Sequence, residues 1–214
     1  MDSKLIKEAG TYYKNKNFKQ ANLKYQQYSS KQDQINPYLL INQASADYQD
    51  QQLGSALANL YQAKKLIPRN KELLNNLAVI HGKHHENTSH LYTFQYFNAL
   101  EASIILFVAN IIFLISLKFK NLLLKSLFSF IFFISILNFA YIYIENQLIH
   151  YAVINTVEAS TYAGNSKNYQ ELYTLREGNI IKLLSKDQAG WYKIKHNGNV
   201  SWLNAKHFAL IPNK

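Results

Sequence analysis

Two uncharged stretches constrain this chain more than any other feature. From Ala102 to Leu117 (ASIILFVANIIFLISL) no side chain is charged. With Phe97 to Glu101 in front, the run is about as long as the roughly 20 residues a bilayer requires. A second run, Ser126 to Ile144 (SLFSFIFFISILNFAYIYI), follows Leu122, Leu123 and Leu124 and meets the same criterion. Only KFKNLLLK separates the two, too little for a domain, so residues 98–146 are predicted to form a tight two-helix transmembrane hairpin with both chain ends on one side.

Aromatic residues fit that geometry. Tyr92, Phe94, Tyr96 and Phe97 precede the first span, and Tyr141, Tyr143 and Tyr151 end or follow the second, as in an interfacial belt. Lys118, Lys120 and Lys125 sit at the far end. The positive-inside tendency places that turn in the cytoplasm and both flanking segments outside it. Met1 to Gly10 carries no apolar signal core, so the expected topology calls for a leader upstream of Met1, and the alternative is the inverted one with both flanking segments cytoplasmic. Asn110, Asn138, Ser103, Ser116, Ser129 and Ser135 lie inside the spans. They are expected to hydrogen-bond between helices, with Ser103 and Asn138 at similar depth, rather than to line a transport path.

The first segment is rich in Lys, Gln, Asn and Tyr and repeats itself. Leu5 matches Leu40, Ala9 matches Ala44, Tyr13 matches Tyr48 and Ala21 matches Ala56, a period of 35 residues. Small residues at Ala9, Ala21, Ala44 and Ala56 let antiparallel helices approach closely, while Tyr25, Tyr28 and Leu60 fill the grooves between pairs. Pro37 and Pro68 are expected to end each unit. This spacing predicts an all-α, tetratricopeptide-like repeat over residues 1–85. Its last helix, KELLNNLAVI, closes the stack. The expected concave groove, suited to a partner peptide, presents Tyr12, Asn15, Asn42, Asp47 and Asn76. Residues 86–97 form a linker. His81, His84, His85 and His90 invite a metal reading, but Gly82 and the scarcity of carboxylates beyond Glu86 favour a structural role, so no metal is expected.

After Tyr151 the pattern alternates, and short strands are predicted at Ala152–Glu158, Glu171–Leu175, Ile180–Leu184, Trp191–Lys195 and Val200–Leu203. Asn197-Gly198 is the clearest hairpin signal, because both residues tolerate positive φ. Five short strands over residues 151–214 predict an all-β, SH3-like small barrel, making the whole chain multi-domain. Trp202 reads as core. Trp191 and Tyr192 are the candidates for its ligand-binding surface, although Trp191 suits the core equally well.

Glu177, Gly178, Trp191, Ile194, Gly198, Trp202 and Leu203 follow the bacterial SH3 pattern, with Ser201 where a Gly is usual. Helical repeats, a membrane hairpin and such a domain, in that order, resemble the BatE family of bacterial aerotolerance-type operons. The resemblance implies a scaffold without an enzyme site, whose partners are membrane proteins carrying von Willebrand factor A domains and a MoxR-type ATPase.

The residues agree that catalysis is not expected: there is no nucleophile elbow, P-loop, H-E-x-x-H or pair of carboxylates beside a span. No cofactor is expected either. Cysteine is absent, which removes disulfides and thiolate chemistry. The net charge of +10 comes almost wholly from Lys, with Arg only at Arg69 and Arg176, which argues against nucleic-acid reading. The expected function is a membrane-anchored protein-interaction scaffold. The alternatives are a peptidoglycan-binding module acting through Trp191 and Tyr192, and a subunit of an oligomeric transporter.

Overall fold

The structure, a computed structural model, describes residues 2–84, 97–144 and 149–212. The chain divides into two compact units, one formed by its two ends together and the other by the apolar stretch between them.

In the first unit, five helices lead: α1 (Asp2–Lys14), α2 (Phe18–Ser29), α3 (Pro37–Gln49), α4 (Leu53–Leu66) and α5 (Lys71–His84). Asparagine starts most of them. The Asn17 side chain accepts from the Gln20 amide, Asn36 from Tyr38 and Leu39, and Asn70 from Leu73, so each fills part of the hydrogen-bond deficit of a helix start. Pro37 opens α3 instead of closing the unit before it. At the first helical position its missing N–H costs nothing, because that group would have no partner in the helix.

The 35-residue correspondence is a repeated helical hairpin. Lys16 and Gln51 both take positive φ, and behind them Asn17 N–H donates to Tyr12 O (2.9 Å) and Gln52 N–H to Asp47 O (2.8 Å). Ala9, Ala21, Ala44 and Ala56 are all buried where helices meet. The array is nevertheless not a tetratricopeptide solenoid. Its fourth helix, instead of only receiving the next repeat, lies against a β-sheet.

That sheet contains β1 (His150–Ile154), β2 (Glu158–Tyr162), β3 (Glu171–Arg176), β4 (Ile180–Lys186), β5 (Trp191–His196), β6 (Asn199–Asn204) and β7 (Phe208–Ile211). The expected SH3-like barrel is overturned. The order is β3-β2-β6-β5-β4-β1-β7, all pairings are antiparallel, and no ladder joins β3 to β7, so the sheet is open. Sequence patterning finds β1, β3, β4, β5 and β6 but runs the first of them on to Glu158 and misses β2 and β7; closure, which depends on whether the two outermost strands meet, lies beyond it. One face gathers Ile154, Leu175, Ile181, Ile194, Leu203 and Phe208 into a core. On β1 the alternate residues Tyr151 and Val153 are buried as well, because α4 packs on β1 and β7. A strand covered on both sides reads as a continuous apolar run, which is what YAVI is.

One local expectation holds. Asn197 and Gly198 take φ of 47° and 86° in the turn between β5 and β6, as a two-residue hairpin requires. Ser201 is buried and its hydroxyl shares a 2.9 Å hydrogen bond with the Tyr173 hydroxyl, so the serine in place of glycine has a partner.

The second unit pairs α6 (Ala99–Ser116) with α7 (Leu122–Tyr143). Asn98 and Glu101 form a reciprocal cap at the start of α6, and Asn121 caps α7. The buried residues of α6 are Ala102, Ala109 and Ser116, seven apart, and those of α7 include Ser135 and Ile142, also seven apart. A heptad spacing of small residues brings the backbones close, and the Phe113 and Phe132 rings stack at 5.0 Å beside that seam. Hydrogen bonds between helices, expected from the serines, are replaced by bonds along each helix. Ser103 donates to Ala99 O, Ser116 to Phe113 O, Ser129 to Lys125 O and Ser135 to Ile131 O. Of the aromatic residues expected at the interface, Tyr92, Phe94 and Tyr96 lie outside the described residues, as does most of the 86–97 linker.

Candidate functional site

The first unit is held together by the fit of α4 to the sheet, and that fit shapes its clefts. Helix α4 lacks a cap of its own, since the Gln52 side chain makes none. Glu177, on the turn between β3 and β4, accepts the Gly54 amide proton at 3.0 Å and puts a carboxylate at the positive end of the helix. At the other end, Lys65 Nζ donates to Pro212 O (3.2 Å). Between them Gly54 has no room for a side chain: a Cβ there would lie 2.3 Å from the Ile154 carbonyl oxygen. Gly178, at φ +91°, sits against Leu53 and Leu57 and donates its amide to that same carbonyl. The Glu177-Gly178 pair of the bacterial SH3 pattern is the clasp between helix and sheet.

Beside this seam a cleft of about 210 Å³ opens between α1, α3 and α5, with Tyr13, Tyr48 and Gln49, Asn76 and Val79 on its walls. A second hollow, about 540 Å³, shares Tyr48 and Gln49 and continues to Gln51, Val157 and Arg176. Val157 is 78 % exposed. The two hollows follow one side of the α3 C-terminus. They offer phenol and carboxamide groups, a guanidinium and apolar patches, a lining suited to an extended peptide.

Of the five residues expected in the groove, only Asn76 lines it. Tyr12 and Tyr13 both pack against the core around Ala9, Ala21, Tyr25 and Leu39, but of the two it is Tyr13 that lines the cleft. Asn15 and Asn42 are exposed elsewhere. Asp47 is buried on another side of α3, accepting from Asn59 Nδ2 at 2.8 Å and from Asn22 Nδ2. Burial pushes its carboxyl up to about 7, Asp50 adding to the rise and the Asn59 bond opposing it. The Asn22 carbonyl oxygen is also buried and unpartnered among the described residues. Turning that amide over would present it to a protonated Asp47, so the trio suits a neutral acid.

The missed cleft residues had one signal. Tyr13 and Tyr48 are equivalent positions of the repeat, visible as a match yet not assigned to the groove. Arg176 and Val157 arrive from the β segment, and no pattern within the helices announces them.

On the sheet, Trp191 is only 9 % exposed and meets the Tyr162 ring edge-on at 5.6 Å, so it is core rather than surface. Tyr192 is half-buried, crossed by Phe208 at 5.2 Å, with Lys186 Nζ 5.6 Å from its ring. It lines a 360 Å³ hollow with Leu184, Lys186, Leu210 and Pro212 beside the β7 edge.

Among the histidines, His81 Nε2 lies 2.9 Å from the Tyr61 hydroxyl. The His84, His85 and His90 side chains lie outside the described residues. Among those described, no three His, Asp or Glu converge as a metal site.

The geometry defines a helix-plus-sheet unit carried with a pair of apolar helices. The chain matches no protein-family model and no curated protein.

Proposed function

We propose that this protein is a membrane-anchored, non-enzymatic scaffold. Helices α6 and α7 hold it in a bacterial cytoplasmic membrane, and the cleft along α3 holds an extended segment of a protein partner. In this reading the turn bearing Lys118, Lys120 and Lys125 faces the cytoplasm and the helix–sheet unit the opposite side. The partner class is that implied by the BatE-like resemblance, membrane proteins with von Willebrand factor A domains.

The observation that carries the reading is the exposure of the two apolar helices. Only 17 % of α6 and 6 % of the most apolar stretch of α7 are buried, whereas a helix of this composition in a soluble core would be covered on most sides. The Gly54–Glu177 bond adds support from a different direction. It joins residues before and after the apolar pair, so both must lie on one side of any membrane, and the chain between them must cross an even number of times. Two helices satisfy that parity.

The test has two stages. The full chain is expressed in a bacterium and the membranes are washed at alkaline pH. The protein should stay in the pellet and need detergent to leave it, and a chain recovered in the wash would end the proposal. A photo-crosslinking residue at Tyr48 should then capture a membrane protein that the same residue at exposed Asn15 does not. Equal capture at both positions, or none at either, would remove the cleft from the proposal.

A further inference from the structure

Resting on the membrane reading above, we propose that the α6–α7 hairpin pairs with a second copy of itself, through a lipid-facing groove centred on Asn110. The groove, about 400 Å³, is lined by Ser103, Phe107 and Asn110 of α6 and by Phe132, Ile136 and Phe139 of α7. Asn110 lies about 4 Å along the axis from the middle of α6, at 1.5 Å per residue, and so deep in hydrocarbon when the helix spans. Ser103 satisfies its hydroxyl on the Ala99 carbonyl. The Asn110 carboxamide has no hydrogen-bond partner among the described residues, in a medium where water cannot supply one. A polar side chain so placed is met by a polar group of another helix at the same depth.

The geometry favours a second copy as that helix. Copies inserted with one topology are related by a two-fold axis along the membrane normal, which brings each residue to its own equivalent at equal depth. A carboxamide is self-complementary, carrying both donor and acceptor, so Asn110 meets Asn110 with both needs satisfied. The surface also carries its own knob. Phe107, 67 % exposed on the groove wall, projects where the partner copy offers the hollow. Asn138, whose carboxamide also has no hydrogen bond among the described residues, lies about 8 Å from the middle of α7 at 1.5 Å per residue, nearer the headgroups and outside this groove, and serves as the internal control.

The chain has no cysteine, which makes the test clean. Purified full-length protein in phosphatidylcholine–phosphatidylglycerol vesicles should form an oxidative dimer through Phe107→Cys. It should form none through Ile112→Cys, which lies at helical spacing on a different face of α6. In vesicles, energy transfer between labelled copies should show Asn110→Leu weakening self-association by about three- to twenty-fold, the range for interhelical hydrogen bonds. Asn110→Gln should restore much of it, and Asn138→Leu should leave it unchanged. A chain left in the aqueous supernatant overturns the membrane reading and this inference with it. A chain embedded in lipid but monomeric, cross-linked only through Ile112→Cys, or indifferent to Asn110→Leu, overturns self-association alone.

Discussion

Helices α4 and α6 are both apolar, and they meet opposite fates. In α4, nine of fourteen residues are buried, including Leu57, Leu60 and Tyr61, because α3 covers one side and β1 and β7 another. In α6 only Ala102, Ala109 and Ser116 are buried, among eighteen residues. The small side chains that bring α7 close leave Ile104, Phe107, Leu114 and Ile115 turned outward. Hydrophobicity alone therefore does not say what a helix packs against. What separates the two is whether the rest of the chain supplies cover, and for α6 it supplies one narrow seam.

The comparison breaks most visibly at Gly54. Gly54→Val would drive a side chain into the Ile154 backbone, which cannot step aside as a flexible side chain can. A loss of about 3 kcal/mol is expected. Urea unfolding of the detergent-solubilised chain, followed by the fluorescence of Trp191 and Trp202, measures it. Leu57→Ala should cost a similar 2–4 kcal/mol through its cavity.

An effect of a different kind, set by pH, is expected at Asp47. Its folded pKa of about 7 lies above the ordinary carboxylate value, so the native state binds the extra proton. Stability is then greatest below about pH 4 as far as this group is concerned, and declines as pH rises toward 7. Asp47→Asn should flatten that slope between pH 4 and 7, and an unchanged slope would contradict the neutral-acid reading.

Removing the clasp with Glu177→Ala should cost about 1 kcal/mol, the usual loss for a helix cap, with Glu177→Gln nearer wild type. Smallest of all, Leu114→Ala on the outward face of α6 should change unfolding by less than about 0.5 kcal/mol in detergent, since its surroundings are as apolar before as after. A loss as large as that at Leu57 would show that α6 is covered by protein after all.

The sequence reveals this much for reasons that can be traced residue by residue. Uncharged runs and a short basic turn locate α6 and α7 because length and lack of charge are local properties. The Asn-Gly turn is legible for the same reason, and so is the repeat, whose equivalent tyrosines and alanines recur with the hairpin turn itself. What escapes is whatever depends on distant parts meeting. An open sheet and a closed barrel use the same strands and turns. Asp47 looks like a groove residue until Asn22 and Asn59 close over it. Glu177 and Gly178 sit in a plausible strand motif, and only the approach of α4 reveals their other work. The asparagines at positions 17, 36, 70, 98 and 121, each preceding a helix, were a readable signal that the repeat and strand patterns overshadowed.

The clasp at Gly54 also sets a timetable for biosynthesis. The glutamate that completes the start of α4 lies 123 residues further along the chain, beyond both apolar helices. As the polypeptide leaves the ribosome, α4 emerges long before the strands that cover it. Its sheet-facing side must therefore wait, or be shielded by a chaperone, until β1 and β7 have been made. Completion of the first unit thus follows synthesis of α6 and α7, although most of its residues are made first.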